Sequence, residues 1–289
     1  MTIAFSFTED GPAARDAATV LVVRDGPRGP EVFMVKRAAA VRFMGGAYVF
    51  PGGRVDAEDA APDVPCDLDA AACAARLAAD EPAKARALHV AALRECVEES
   101  GIVLAAGEVR DGAGARLRAA LEGGARPSLA SLLAREGLTL ACSALMPWSR
   151  WVTPRQETKR FDARFFLARA PESAASAVHD GGETVASEWL RPADAVARAL
   201  AGEIVLAPPT WRTLAEIASA TSVASLLTEQ RAPVLPLEPV VRPFEDTLAV
   251  LLPDDREHPR AVSVQGPSLP TRFIYRDGTW ELGFEGMRG

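Results

Sequence analysis

The string Arg94-Glu95-Cys96-Val97-Glu98-Glu99-Ser100-Gly101-Ile102 holds the residues best placed to do chemistry. On a helix, Glu95, Glu98 and Glu99 share one face within an arc of about 100°. Leu93 and Val97 take the opposite face, where they can anchor the helix in a core. Carboxylates at i, i+3 and i+4 repel one another and cost helix stability by themselves. Hard oxygen ligands of this kind suit Mg2+ or Mn2+, which turns the crowding to use. A solvated acidic face on a surface helix is the plainer reading. The string alone leaves both open.

The elements that must position these residues follow from pattern and punctuation. Pro82 suits a first helical turn and Gly101 a left-handed C-cap, which predicts a helix over 82–100. Upstream, Thr19–Val23 and Val32–Val35 read as an antiparallel pair across a turn rich in Gly and Pro. Ala47–Phe50 is a short strand stopped by Pro51-Gly52-Gly53, 56–69 a loop, and 70–79 a short helix. Downstream, helices are predicted over 117–121, 129–136 (with Ser128 as N-cap), 193–201 and 210–220. Strands are predicted over 139–144, 161–168 and 184–190. Short β runs follow, ending in a hairpin of 272–275 and 279–282 around Asp277-Gly278. Mixed strands and helices without regular βαβ units predict an α+β or α/β/α sandwich. Residues 1–16 read as a lead-in, 17–232 as the main domain and 233–289 as a C-terminal β extension.

The glutamate string, preceded by Phe50-Pro51-Gly52-Gly53, resembles the signature of the Nudix hydrolases, Gx5EX7REUXEEXGU with U aliphatic. Gly53 fills the first glycine, and Arg94, Glu95, Glu98, Glu99, Gly101 and Ile102 fill the second half in register. Asp59, with Glu58 beside it, stands where the pattern has Glu, and Cys96 stands at an aliphatic position. Between Asp59 and Arg94 lie 34 residues where the pattern has seven, so the box carries an insertion of which about 60–83 should project as a loop and helix. An insertion there resembles the coenzyme A diphosphatase-like Nudix subgroup. The run Arg37 to Gly53 is similar to that subgroup's motif, with Arg37, Arg42, Gly46 and Phe50 at matching positions. Trp148 to Pro154, Arg160 to Phe166 and Leu206 to Thr210 resemble its later segments. The resemblance spans about residues 17–220.

It implies a Nudix α/β/α sandwich with a mixed sheet, and a hydrolase that cleaves the diphosphate of a small-molecule nucleoside diphosphate derivative. Coenzyme A or acyl-coenzyme A is the preferred substrate, giving 4′-phosphopantetheine and 3′,5′-ADP. Other nucleoside diphosphate derivatives, or a Nudix-fold ligand-binding module without catalysis, are the alternatives. Glu95, Glu98 and Glu99, with Glu183 from a later loop, would hold Mg2+ or Mn2+; Glu183 as an ordinary loop residue is the alternative. Arg94 would orient a carboxylate by bidentate pairing. Gly52 and Gly53 would meet the diphosphate, and Arg37 and Arg42 the phosphates of the adenosine half. Surface ion pairing is the alternative for both arginines. Trp148 and Trp151 would stack on adenine or else pack in a core.

Composition narrows the field without choosing the reaction. A net charge of −7 over 289 residues argues against a general nucleic-acid or membrane-surface binder. No apolar run reaches the roughly 18–20 residues of a membrane helix. Cys66, Cys73, Cys142 and Cys96 show no CxxC spacing, the three histidines are scattered, and Ser143 and Ser149 lack a nucleophile elbow. The start has no signal-peptide pattern and the final Met287-Arg288-Gly289 is not a peroxisomal tripeptide, so a cytoplasmic protein is expected. The C-terminal β extension could cover the core, shape the substrate entrance or form a homodimer contact.

Overall fold

The computed structural model describes residues 11–40, 45–122, 127–229, 233–262, 269–276 and 279–283. Arg42 and the Asp277-Gly278 turn lie outside them. The chain opens with β1 (Arg15–Gly26), β2 (Gly29–Arg37), β3 (Ala47–Val49) and β4 (Gly52–Arg54). Next come α1 (Ala70–Leu77), α2 (Pro82–Ser100), β5 (Ala105–Ala106), α3 (Ala113–Leu121) and α4 (Leu129–Glu136). They lead to β6 (Thr139–Leu140), β7 (Met146–Val152), β8 (Phe161–Arg169) and β9 (Thr184–Leu190). After α5 (Pro192–Leu200), β10 (Val205–Leu206), α6 (Pro208–Ile217) and α7 (Val223–Thr228), β11 (Pro236–Leu237) returns to the sheet. The last strands are β12 (Val240–Phe244), β13 (Thr247–Leu251), β14 (Arg272–Arg276) and β15 (Thr279–Gly283).

β1 is apolar at consecutive positions because both its faces are covered. Ala18, Val20 and Val22 face α1–α4, whereas Leu21 and Val23 face α5–α7 and the C-terminal strands. It pairs antiparallel with β2 (Val23 opposite Val32) and parallel with β8 (Thr19 opposite Phe165). The mixed sheet runs β10-β3-β2-β1-β8-β7-β11, with β4 added on β1 and β9 on β2. Helices on both faces make this the α/β/α sandwich expected from the sequence. β12–β15 form a separate antiparallel sheet. Its Val250 and Phe273 pack with Trp211 and Leu214 of α6, so this segment covers the second core.

Several elements differ from the sequence expectation. The strand expected over 139–144 is only β6, followed by a 3-10 turn at Cys142–Ala144. β7 takes up the tryptophan segment, and α7 adds a helix capped by Ser222. The insertion contains the expected loop and helix and leaves Gly53 beside α2, but it folds back onto the core instead of standing clear of it. Val64, Cys73, Ala74 and Leu77 join the first core, and Arg86 of α2 donates to the carbonyl of Ala61 at 2.9 Å. Cys73, Ala74 and Leu77 are the buried side of α1, so the extra chain is drawn inward by apolar burial. Leu77→Ala should therefore lower the unfolding free energy by about 2–4 kcal/mol in urea titrations, where a projecting helix would give almost no change.

Candidate active site

The site is built on α2, whose 19 residues start at Pro82 and end before Gly101, with φ +70°. Arg94 is 2% exposed and uses all five N–H donors. Nε and Nη2 form a fork on Asp59 Oδ1 and Oδ2, both at 2.8 Å. Nη1 donates to Glu95 Oε1 at 2.9 Å and Glu98 Oε2 at 2.7 Å. The remaining Nη2 proton goes to the Arg54 carbonyl at 2.9 Å. Burial opposes the charge on Arg94, yet the Asp59, Glu95 and Glu98 carboxylates outweigh it and hold its pKa above the ordinary value.

Asp59 fills the pattern position despite its shorter side chain. It is fully buried and also accepts from the Asp56 N–H at 2.8 Å. Glu58 turns the other way and accepts from the Leu129 N–H at the start of α4. The insertion thus leaves the two halves of the box in contact. A Cβ on Gly53 would overlap the Glu95 carboxylate, and one on Gly52 would lie 2.6 Å from the Ala18 carbonyl oxygen. The Gly52 N–H donates to Glu99 Oε2 at 3.1 Å. Only glycine lets the loop approach α2 this closely.

A cavity of about 1130 Å³ opens over these residues. Glu95, Glu98, Glu99, Gly52, Gly53, Arg37 and Glu183 all line it, so it brings together most of the residues singled out in the sequence. Arg37 Nε is buried without a hydrogen-bond partner among the described residues. The exposed Glu183 lines the cavity and accepts from the Ala38 N–H at 2.8 Å through its backbone carbonyl. Glu188 points elsewhere, to the Tyr48 hydroxyl at 2.6 Å and to Arg198 at 2.8 Å. Trp148 and Trp151 do not reach the cavity. They are 1% and 4% exposed in the second core, and Trp148 Nε1 donates to Glu216 at 3.1 Å. Rings packed on both sides offer no face to a base, so a core role replaces the stacking expected from the sequence. Arg15, Arg54 and Lys159 also line the cavity, unnoticed in the sequence because no local motif marks them.

With this geometry in hand, the likeness to known proteins is specific. A family description, the NUDT19 Nudix domain, matches residues 74–217. The acyl-coenzyme A diphosphatase NUDT19 of Gallus gallus is 30% identical over 306 aligned positions, covering 85% of this chain and 80% of that protein. The chain belongs to the Nudix hydrolase family. The Homo sapiens protein of the same description is 28% identical, across 68% of this chain and 63% of its own length. A Nudix hydrolase structure from Alicyclobacillus acidocaldarius superposes with TM-score 0.59 at 29% identity, covering 75% of this chain and 97% of that one.

Nudix hydrolases use divalent metal ions, and the donor chemistry here fits one. Among the described residues no three such side chains already converge on one point; Glu95 and Glu98 face Arg94, and Glu99 faces Gly52. The electrostatics nonetheless call for a cation. Burial pushes Glu95 up to about 7, with Arg94 opposing and Glu98 adding to the rise. Burial and then Glu95 push Glu99 up to about 8. A bound divalent cation would favour the ionised forms of both.

These shifts set a sign for stability. Both folded pKa values lie above the unfolded value of 4.5. As pH rises through this interval the unfolded chain releases protons that the folded state retains, so this part of the stability falls. In EDTA, Tm should decline between about pH 5 and pH 8, and Glu99→Gln should flatten the decline. The gain in Tm from added Mg2+ should be larger at pH 8 than at pH 5.5. Equal gains at both pH values would contradict the assigned burial of these carboxylates.

Proposed function

We propose that the protein is a Mg2+- or Mn2+-dependent diphosphatase of coenzyme A or acyl-coenzyme A in the cytoplasm. The observation that carries this reading is the row Glu95, Glu98 and Glu99, the first two held by Arg94 and the third by the Gly52 N–H, facing a cavity large enough for a nucleotide-sized substrate. The choice of substrate is supported by the chicken acyl-coenzyme A diphosphatase, whose likeness extends over 85% of the chain. The four cysteines are all free, which accords with a reducing compartment. No helix among the described residues is long and apolar enough to cross a membrane.

In the reaction, water adds to one phosphorus of the diphosphate and the bond from that phosphorus to the bridging oxygen breaks. The products are 3′,5′-ADP and 4′-phosphopantetheine or its acyl form. Glu95, Glu98 and Glu99, with Glu183 across the cavity, would hold the metal. When bound, the metal supplies positive charge to the phosphate oxygens and lowers the pKa of a coordinated water. Gly52 and Gly53 keep side-chain bulk away from the place where the diphosphate must come near α2. Arg37, beside Glu99, contributes a guanidinium to the same phosphates. Arg94 touches no substrate in this scheme; its donors are spent on holding the carboxylates.

Intact, crowded carboxylates speak for catalysis over a binding module, since burial and mutual repulsion make them costly to keep. Hydrolysis of coenzyme A, acyl-coenzyme A, nucleotide sugars and dinucleotides should be compared with Mg2+ and with Mn2+. Coenzyme A species should be the best substrates. Glu98→Gln and Glu99→Gln should each lower kcat by about 10²–10⁴ while the protein stays folded. Unchanged kcat in both variants would remove this helix from the mechanism.

A further inference from the structure

The floor of the cavity runs along β1 away from the glutamates. Gly52 and Gly53, which meet Glu99 and Glu95, stand opposite Thr19 and Ala18. Further toward the start of the strand, Arg54 stands opposite Ala17 and Phe161 opposite Arg15. At about 3.3 Å per residue, Arg15 is about 13 Å along the strand from Thr19. Arg15, Arg54 and Lys159 line this end of the cavity together.

Their backbone is fixed. The Arg15 N–H donates to the Arg160 carbonyl at 2.9 Å and the Gly11 N–H to Arg155 at 2.8 Å, pinning the loop that carries Lys159. Arg94 holds the Arg54 carbonyl. Neighbouring charges are spent: Lys84 pairs with Asp16 at 2.9 Å, and Arg160 pairs with Glu238 at 3.2 Å. Among the described residues, Arg15, Arg54 and Lys159 have no acidic partner within ion-pair distance. Asp56 and Glu122 line the same cavity, yet among the described residues neither lies within ion-pair distance of these three cations.

We propose that Arg15, Arg54 and Lys159 form a binding station for a phosphate monoester of the substrate, separate from the place of the cleaved diphosphate. This rests on the function proposed above and deepens it: the station would read the 3′-phosphate of the adenosine half. A dianionic monoester suits two guanidinium forks and an ammonium. Arg37, assigned to that half from the sequence, sits at the Glu99 end and belongs with the diphosphate instead. The station acts in ground-state binding, so its loss appears in KM more than in kcat.

The test is the double variant Arg15→Ala/Lys159→Ala, with Lys159→Arg as the conservative control. The ratio of kcat/KM for coenzyme A over dephospho-coenzyme A should fall about 10- to 150-fold in the double variant, through KM. Lys159→Arg should restore most of the Lys159 share. Calorimetry should show wild-type protein binding 3′,5′-ADP more tightly than 5′-AMP, and the double variant losing that preference. An unchanged ratio, or equal losses on the two substrates, overturns the station. If the wild type hydrolyses neither substrate, the proposed function fails on its own. The nucleotide comparison still decides the station, because 3′,5′-ADP bound no more tightly than 5′-AMP overturns it.

Discussion

A single buried guanidinium bears most of the electrostatic strain in this protein. Asp59 is fully buried, an arrangement that would be prohibitive without a compensating cation. Arg94 reaches Asp59, Glu95 and Glu98 at once because a planar guanidinium has five donors in fixed directions. Lysine, a point charge with three donors, could not hold a fork on Asp59 while reaching two glutamates. The shape of the box follows: Asp59 must come back to α2 however long the chain before it.

The remaining architecture serves that arrangement from behind. α2 turns its carboxylates to the cavity and buries Leu88, Leu93 and Val97 in the first core. α1 adds Cys73, Ala74 and Leu77 to the same core. β1 has a double duty. Its middle is core on both faces, while Ala17 and Thr19 near its start form cavity floor. Glycine at two positions of β4 then brings the strand against the glutamates. Rigidity at the site therefore comes from packing on both sides of one strand and one helix.

What was legible in the sequence was local. The ends of α2 could be read because Pro82 and Gly101 mark them through their own backbone preferences. The shared face of Glu95, Glu98 and Glu99 needed only helical spacing. Asp59 stands at the pattern position, but its role was not legible, since its fork with Arg94 joins residues 35 apart across the insertion. Structure separates Asp59 from Glu58 by direction, one to Arg94 and one to α4. Trp148 and Trp151 were ambiguous because tryptophan suits both a base-stacking surface and a core, and only sheet position decides. Arg15 and Lys159 come to one cavity through β1–β8 pairing and a loop contact, which no spacing rule along the chain records.

The long separation within the box bears on how the protein comes to fold. Closing a loop from Asp59 to Arg94 over 35 residues, where the family pattern needs eight, costs about 1.3 kcal/mol more in chain entropy. Burial of Val64, Cys73 and Leu77 on the way offsets that cost, so the inserted chain provides for its own closure. It also ties assembly of the carboxylate cage to completion of the core. Asp59 lies ahead of the inserted chain and Arg94 behind it, so the fork closes the loop that α1 fills.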